Sequence, residues 1–403
     1  MTNRSFVAIA GMMVLTCAGA VYIWGVFQGP VVAMFGWTQA QGAMTFALTL
    51  SVFSLGTIFG GRIQDKIGPR IITTIGGIMI GAGVFCASFS TADNPWILYS
   101  TYGVLMGFGI GTVYTPVLAC VIKWFPDKKG TMTGAVVAFM GVSGLVFSPI
   151  AKILIANYGV LTTFKIFGIL FGTLIIVASL FLKNPPANYK PEGWTPPTPD
   201  SNTVIAARDY SPMEIIRKPQ FYCLAVIMFI GCMSGLMIIP FGAILAERAG
   251  LSAAAATSAI MLISLANALG RLLWGAVADK IGRIRTLSIM LATSGSCMVF
   301  LNQLPGYTSL IGMGIVGLCY GGVLGTMPAT VGEFFGVKNV GINYGLLLLF
   351  FGSAALAAPM ASGVILDLTG TFSAAFLICG IASLVGLFFA YLCKPIADKK
   401  IVA

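Results

Sequence analysis

The stretch from Ala266 to Arg285 reads ANALGRLLWGAVADKIGRIR, and it combines two features that decide the fold. Its first half places Arg271 inside an apolar run that is long enough to cross a membrane. Its second half, GAVADKIGR from Gly275 to Arg283, ends that run with a turn and fixed charges. Because an arginine in hydrocarbon costs roughly 2.5 kcal/mol or more, Arg271 is a candidate functional residue.

The charged turn has a near copy earlier in the chain, GRIQDKIGPR from Gly61 to Arg70. Asp65 and Asp279 occupy the same place in the two copies, 214 positions apart (279 minus 65). A second pair of apolar runs matches at offsets of 211, 211 and 210, where Gly134, Gly141 and Pro149 recur as Gly345, Gly352 and Pro359. The chain is therefore duplicated, and only the second copy has an arginine within the membrane just before the turn.

Composition predicts an all-α polytopic membrane protein. Hydrophobic residues make up 58% of the chain and charged residues only 9%, whereas soluble domains carry about 25% charged residues. Most apolar runs are close to the roughly 20 residues that span a bilayer. We predict twelve spans, approximately at 6–28, 42–61, 71–90, 97–122, 131–155, 163–182, 220–245, 254–275, 284–302, 309–332, 341–365 and 373–392.

A polar segment divides these spans into two groups of six. It contains six prolines between Pro185 and Pro199, and proline-rich polar sequence is typical of a linker. The predicted organisation is an N-terminal six-helix bundle over residues 1–183, a cytoplasmic linker over 184–219 and a C-terminal six-helix bundle over 220–403. Two parallel six-span repeats are typical of secondary transporters that work by alternating access.

The positions of the charges indicate the orientation. The net charge is +11, but most lysines and arginines fall in loops that share one side of the membrane, which is the positive-inside pattern rather than a nucleic-acid surface. We therefore expect a multi-pass protein of the cell inner (plasma) membrane, in contact with the lipid bilayer, with both termini in the cytoplasm. The nine cysteines contain no C-x-x-C, and there is no histidine, so we expect neither a metal site nor a cofactor.

Enzymatic and ATP-driven functions are not favoured. The chain has no G-x-x-x-x-G-K-[ST] phosphate loop. Only twelve carboxylates are present, and none is predicted to lie in the middle of a span. Two of them, Asp65 and Asp279, lie in the charged turns, where we expect them to support an inner gate by pairing with turn cations such as Arg70 and Arg283.

Arg271 therefore has no evident carboxylate partner, and a buried unpaired charge is strongly unfavourable. A substrate anion would neutralise it, and a guanidinium fits a carboxylate bidentately. The simpler alternative is a structural arginine that binds backbone carbonyls or extends toward the membrane surface. Aromatic and amide residues in other spans complete the candidate binding site, namely Tyr22, Tyr114, Asn267, Tyr320 and Phe351, with Phe350 beside it. Asn267 lies one helical turn before Arg271, so both face the same way.

These residues resemble a known family. The two turns of the form G-x-x-x-D-K-x-G resemble the loop signature of the major facilitator superfamily. Within it, three further segments resemble the bacterial oxalate/formate antiporter family and the monocarboxylate transporters: KWFPDKKG from Lys123 to Gly130, Asn343-Tyr344-Gly345 and Gly270-Arg271. The resemblance implies a fold of twelve helices in two bundles and a substrate carboxylate bound by Arg271.

The chain also departs from these relatives. The oxalate exchanger carries a lysine in span 11, and the corresponding position here is Phe351. Mammalian monocarboxylate transporters carry a lysine in span 1 and an aspartate where this chain has Asn267. We therefore expect a carrier of lactate-, pyruvate- or acetate-like monocarboxylates, with protons as co-substrate. An oxalate/formate-type anion exchanger and a nutrient sensor on a transporter fold remain alternatives.

Overall fold

The computed structural model describes residues 4–186, 189, 191, 209–336 and 339–393. Within these ranges the chain is predominantly helical and has no named β-strand. Eleven helices are long and apolar enough to cross a membrane. The longest of them, Met132–Ser179, contains Gly159 with φ 76° and ψ 169°, a non-helical residue that divides it into two crossings. The chain therefore makes twelve crossings, as its sequence predicts.

The first six spans are built from the following helices: Arg4–Ala18, Gly19–Ile23 and Trp24–Phe35 for span 1, Gln39–Ile67 for span 2, Pro69–Cys86 for span 3, Trp96–Leu98, Tyr99–Met106 and Gly107–Trp124 for span 4, and Lys129–Ser179 for spans 5 and 6. The last six are Pro219–Ile238 for span 7, Ala253–Ile281 for span 8, Arg283–Leu301 for span 9, Tyr307–Phe335 for span 10, Val340–Thr369 for span 11 and Ser373–Leu392 for span 12. Two short helices, Pro212–Ile215 and Gly242–Arg248, flank span 7.

Span 1 is longer than its sequence predicts. The prediction ends it at Gln28, a polar residue, but the helix continues to Phe35 and stops at Gly36, which has φ 67°. Gln28 is fully buried and is tolerated there because its side-chain oxygen accepts a hydrogen bond from Trp24 Nε1 at 3.1 Å. A buried polar group that is hydrogen-bonded does not end a span.

The two charged turns have the same local structure. Span 2 ends at Gly68 with φ 83°, and span 8 ends at Gly282 with φ 93°. Glycine adopts such positive φ values without steric cost, so each turn reverses the chain within one residue. Both turns lie at one end of the helix bundle, here called the near end. The opposite end, which holds the connections after Gly36 and Thr369, is called the far end.

Small residues bring the backbones into close contact. In span 8, a Cβ added at Gly270 would lie within 2.9 Å of the Leu318 backbone in span 10. In the same pair of spans, a Cβ at Gly325 would lie 2.7 Å from the carbonyl oxygen of Arg271. Such contacts between small residues hold membrane helices together in the absence of a hydrophobic driving force. Spans 8 and 10 thus fix the backbone around Arg271.

The first six spans contact the last six mainly through span 2 with span 11 and span 5 with span 8. At mid-membrane, a Cβ added at Gly141 would meet the backbone of Ala268 at 2.9 Å. Toward the near end the approaches are longer: a Cβ at Gly134 would lie 3.3 Å from the side chain of Leu272, one at Gly345 would have Ile58 at 3.8 Å, and one at Gly275 would meet nothing within 4 Å. The linker predicted over 184–219 falls largely outside the described residues, and the boundaries of the two bundles stay a prediction.

The contact between spans 5 and 8 gives a first test. We expect Gly141→Ala to lower the apparent melting temperature of the purified transporter, because the new methyl group has to displace backbone atoms of Ala268. Such overpacking costs about 1–3 kcal/mol. The matched control is Gly275→Ala, where the methyl group enters open space and alanine has the higher helix propensity. Equal melting temperatures for the two variants would contradict the tight packing at Gly141.

Candidate functional site

Arg271 lies inside span 8, ten residues before the helix ends at Ile281, and only 6% of its surface is exposed. At 1.5 Å per residue, this places its Cα about 15 Å from the end of the helix. The side chain reaches Tyr22 in span 1 and so extends between the two groups of six spans. Its burial therefore arises from both halves of the duplicated chain.

Neutral groups bind the guanidinium. Its Nε donates to the side-chain oxygen of Asn267 at 3.3 Å, within the same helix. One of its terminal nitrogens donates to the hydroxyl of Tyr22 at 3.3 Å, from span 1. Tyr114, in span 4, also interacts with the guanidinium through its hydroxyl group. Arg271 thus joins residues of the first six spans to residues of the last six.

The Tyr22 hydroxyl links Arg271 to a further predicted site residue. It lies 3.4 Å from the hydroxyl of Tyr320, and the two rings meet edge to face with centroids 6.4 Å apart. A hydroxyl oxygen that accepts a hydrogen bond from Arg271 still has its own proton to donate. Tyr22 can therefore donate to Tyr320 or to a bound acceptor while it stays bonded to the arginine.

An aromatic wall stands beside these hydroxyl groups. Phe351, of which 1% is exposed, packs edge to face on Phe53 with ring centroids 6.3 Å apart. Phe53 packs in the same manner on Tyr114 at 5.4 Å. Phe351 thus joins the same cluster as the hydroxyl groups through Phe53. Phe350 turns away from it and packs on Phe221 in span 7, with ring centroids 5.9 Å apart.

A small cavity adjoins Asn267 and extends from it toward the far end. One of its lining residues, Tyr22, belongs to the first half, and the rest belong to the second half: Ile239, Ile260, Ile263, Ser264 and Asn267. The side-chain nitrogen of Asn267 is buried without a hydrogen-bond partner among the described residues. A buried polar group in that state is a donor available to a ligand.

The electrostatic surroundings of Arg271 contain no compensating charge. Among the described residues, the ion pairs join Arg4 to Asp127 and Arg283 to both Asp279 and Glu333, and none of them involves Arg271. The polar groups around it are instead the hydroxyls of four tyrosines, Tyr22, Tyr114, Tyr320 and Tyr344. Hydroxyl groups satisfy hydrogen bonds but leave the positive charge uncompensated, so the site is suited to an anion.

The predicted gating residues lie at the near end, apart from this site. Arg283 bonds Asp279 at 2.8 Å and Glu333 at 3.2 Å, which ties the charged turn to the end of span 10. All three residues belong to the second half, so this cluster braces that half internally rather than across the halves. The side chain of Asp65 lies outside the described residues, and Arg70 is exposed at the start of span 3.

Three of the residues that surround the site are not predicted from the sequence. Tyr344 appears in it only as part of a family motif, although its place beside Asn343 was a usable signal. Phe53 and Ser264 gave no signal, because nothing in an apolar run distinguishes a residue that faces the cavity from one that faces lipid. Among the residues that the structure describes, no group of three or more metal-ligating side chains comes together.

The chain matches the Major Facilitator Superfamily over residues 6–241 and 224–402, which covers both halves. It is 33% identical to the MFS-type transporter YhjX of Escherichia coli, over 84% of this chain and 82% of that protein. The oxalate:formate antiporter of Oxalobacter formigenes is 28% identical, over 98% and 92% of the two chains. Monocarboxylate transporter 12 of Xenopus laevis is 24% identical, over 80% and 73%. With its twelve helices and duplicated halves, the chain belongs to the major facilitator superfamily and is a membrane transporter, not an enzyme.

Proposed function

We propose that this transporter carries small monocarboxylates, such as lactate-, pyruvate- or acetate-like anions, together with a proton. The observation that carries the proposal is the buried guanidinium of Arg271, whose described neighbours are all neutral. A carboxylate compensates that charge and fits the planar guanidinium with two parallel hydrogen bonds. The names of several relatives point to the same class of substrate, since they include an oxalate:formate antiporter, monocarboxylate transporters and an apicoplast pyruvate carrier.

The remaining groups define how such an anion would be held. Its carboxylate would bind Arg271, and the hydroxyls of Tyr22 and Tyr114 lie at the same guanidinium. The unpartnered amide nitrogen of Asn267 can donate to a keto or hydroxyl oxygen on the adjacent carbon. The short hydrocarbon part would lie against the wall formed by Phe53 and Phe351.

Charge counting favours one carboxylate per substrate. The described site contains one fixed cation, and an aromatic residue, Phe351, occupies the position where the resemblance places a second one. A dianion would bring a second carboxylate with no cation to meet it, and an uncompensated buried charge costs several kcal/mol. Exchange of oxalate/formate type is nevertheless a second candidate, because the resemblance to the antiporter extends over 98% of the chain.

The way in which the two halves meet supports alternating access. In this structure they are in close contact at the far end and looser at the near end. We propose that the near end faces the cytoplasm of a cell whose inner (plasma) membrane holds the protein, that both termini lie on that side, and that the bundles over 1–183 and 220–403 rock against each other around Arg271. The ion pairs of Arg283 with Asp279 and Glu333 would hold spans 8, 9 and 10 together during that motion.

Proton coupling would involve the substrate itself. The chain has no histidine, and the described site contains no carboxylate that could take up a proton. We propose that the anion neutralises Arg271 and that the proton travels on or beside the bound acid. A sensor on a transporter fold would bind the same anion without net flux, so a direct measurement of transport separates the two.

The first test of this function removes the charge. We expect Arg271→Gln to lower uptake of labelled lactate, pyruvate or acetate into proteoliposomes by at least about 100-fold, because it deletes the charge that binds the carboxylate. Arg271→Lys should also be poor, since an ammonium group loses the bidentate geometry. The matched control, Arg285→Gln, neutralises an exposed arginine and should keep uptake. Uptake near the wild-type rate in folded Arg271→Gln protein would exclude anion binding at this residue.

The second test concerns coupling. With a proton-coupled monoanion, we expect uptake to rise with an inward proton gradient and to be unaffected by a membrane potential set with potassium and valinomycin, because one negative and one positive charge move together. Empty and substrate-loaded vesicles are compared at each gradient. Uptake that ignores the gradient but requires internal substrate would instead establish exchange. Binding without uptake in either condition would establish a sensor.

The third test concerns substrate charge. We expect oxalate to compete poorly with labelled monocarboxylate in the wild-type protein. Phe351→Lys should weaken monocarboxylate uptake, because its ammonium group is a second unpaired cation, and should strengthen competition by oxalate roughly tenfold or more. Phe351→Leu is the control that changes the aromatic wall without adding charge. If oxalate already competes with wild-type uptake as strongly as monocarboxylates do, charge counting does not set the substrate class.

A further inference from the structure

The first turn of span 2 is hydrogen-bonded to the other half of the molecule. A helix leaves its first N–H groups without partners inside the helix. Here the hydroxyl of Thr38 accepts from Gln41 N, as in many helix N-termini. The preceding two donors, Gln39 N and Ala40 N, each bond one carboxylate oxygen of Asp367, both at 2.9 Å. Asp367 lies near the end of span 11, more than 320 positions away in the sequence.

A glycine allows this carboxylate to reach the helix. Gly363 lies one turn before Asp367, and a Cβ there would be 2.7 Å from Ala40 Cα and 2.9 Å from Ala40 N. The backbones of spans 2 and 11 are therefore in direct contact at the far end. Asp367 and Gly363 together form the contact, one by hydrogen bonds and the other by the absence of a side chain.

Other contacts close the same end. A Cβ at Gly25 in span 1 would lie 2.7 Å from the carbonyl oxygen of Ile239, just after span 7. The buried side chain of Gln28 reaches Gln39 at 3.4 Å, so the capped turn of span 2 also joins span 1. Toward the near end, spans 2 and 11 separate to the loose contact at Gly345. The Asp367 carboxylate thus lies at the end where the halves are closed.

The duplication supplies an internal comparison. Span 8 corresponds to span 2 and has the same kind of local cap, since its Ser252 accepts from Ala255 N as Thr38 accepts from Gln41 N. Span 5 corresponds to span 11, and offsets of 211 and 210 from Asp367 lead to Ala156 and Asn157 (367 minus 211, 367 minus 210). The Asn157 amide donates to Ile153 in its own helix. Span 5 has no Asp or Glu between 131 and 159, so among the described residues a carboxylate bridges spans 2 and 11 and none from span 5 bridges the equivalent pair.

We propose that Asp367 is a latch that holds the far end of this transporter closed, by capping span 2 from the opposite half, and that this latch has to break before the far end opens. Asp367 is a positioning residue, since it acts on the equilibrium between states and does not contact the Arg271 site. The proposal rests on membership of a transporter family and not on the identity of the substrate.

The chemistry suits a reversible latch. A carboxylate at a helix N-terminus gains from hydrogen bonds and from the positive end of the helix dipole. Asp367 is exposed, so water replaces both partners when the halves separate, and neither state is left with a buried orphan group. Together the contacts are worth enough to shift a two-state ratio roughly five- to tenfold, but not enough to lock it.

The test measures the distance across the far end without any substrate. Spin labels are placed at Ala92→Cys and Gln303→Cys, exposed positions on far-end loops of the first and second halves, after the nine native cysteines have been replaced. Distances are recorded by pulsed electron paramagnetic resonance in detergent and in lipid nanodiscs. We expect Asp367→Ala to raise the ratio of long to short distances roughly five- to tenfold, and Asp367→Asn to raise it less.

The matched control is Asp93→Asn, which neutralises an exposed carboxylate on a far-end loop of the first half and should leave the distances unchanged. Gly363→Val provides an independent variant, because its side chain wedges spans 2 and 11 apart while Asp367 stays in place. It should also raise the long-distance population. A distance distribution in folded Asp367→Ala protein equal to that of the wild type would overturn the proposal, whatever the outcome for Gly363→Val. Because no transport is measured, this result is independent of the monocarboxylate hypothesis.

Discussion

One uncompensated positive charge organises this molecule. A guanidinium in the middle of a helix bundle loses its hydration, and its hydrogen bonds to Asn267 and Tyr22 replace water without replacing a counter-charge. Arg271 therefore has hydrogen-bond partners but no neighbouring negative charge among the described residues. A protein whose only task was stability would gain from an apolar residue there. In the proposed function an anion supplies the missing charge, and because residues from both halves surround the site, its arrival and departure would bear on how the halves meet.

Close helix packing allows the two halves to meet in more than one relative orientation. Glycines at Gly141 and Gly363 bring the helices of the two halves into direct backbone contact. The far end carries the hydrogen bonds of Asp367 across the halves, whereas the approach at Gly345 toward the near end is 3.8 Å. Helix surfaces that meet through glycines can separate at one end while they close at the other, because few hydrogen bonds between buried groups are lost. The duplication makes the pair of spans 2 and 11 equivalent to the pair of spans 8 and 5, and the Asp367 carboxylate joins the first pair by hydrogen bonds.

The predicted site and the observed geometry agree to different degrees for different residues. Arg271 and Asn267 are adjacent for a local reason, since residues four apart share a helix face. Tyr22, Tyr114 and Tyr320 come from three other spans, and their convergence required the fold. Arg283 bonds Asp279 and also Glu333 of span 10, which its sequence did not indicate, and its gating role stays a prediction. Periodicity could not reveal Phe53 or Tyr344, since apolar runs in a bilayer do not mark their inner face.

The sequence by itself determined the twelve crossings, the duplication and the isolated charge. These follow from local physics, namely the cost of polar groups in hydrocarbon and the turn-forming glycines at Gly68 and Gly282. Only the tertiary structure decided which side chains surround Arg271, that Gln28 lies inside span 1, and that Asp367 caps a helix of the other half. Those contacts join residues up to 328 positions apart. They depend on how helices rotate and tilt against one another, and that is set by packing across the whole bundle rather than by any single segment.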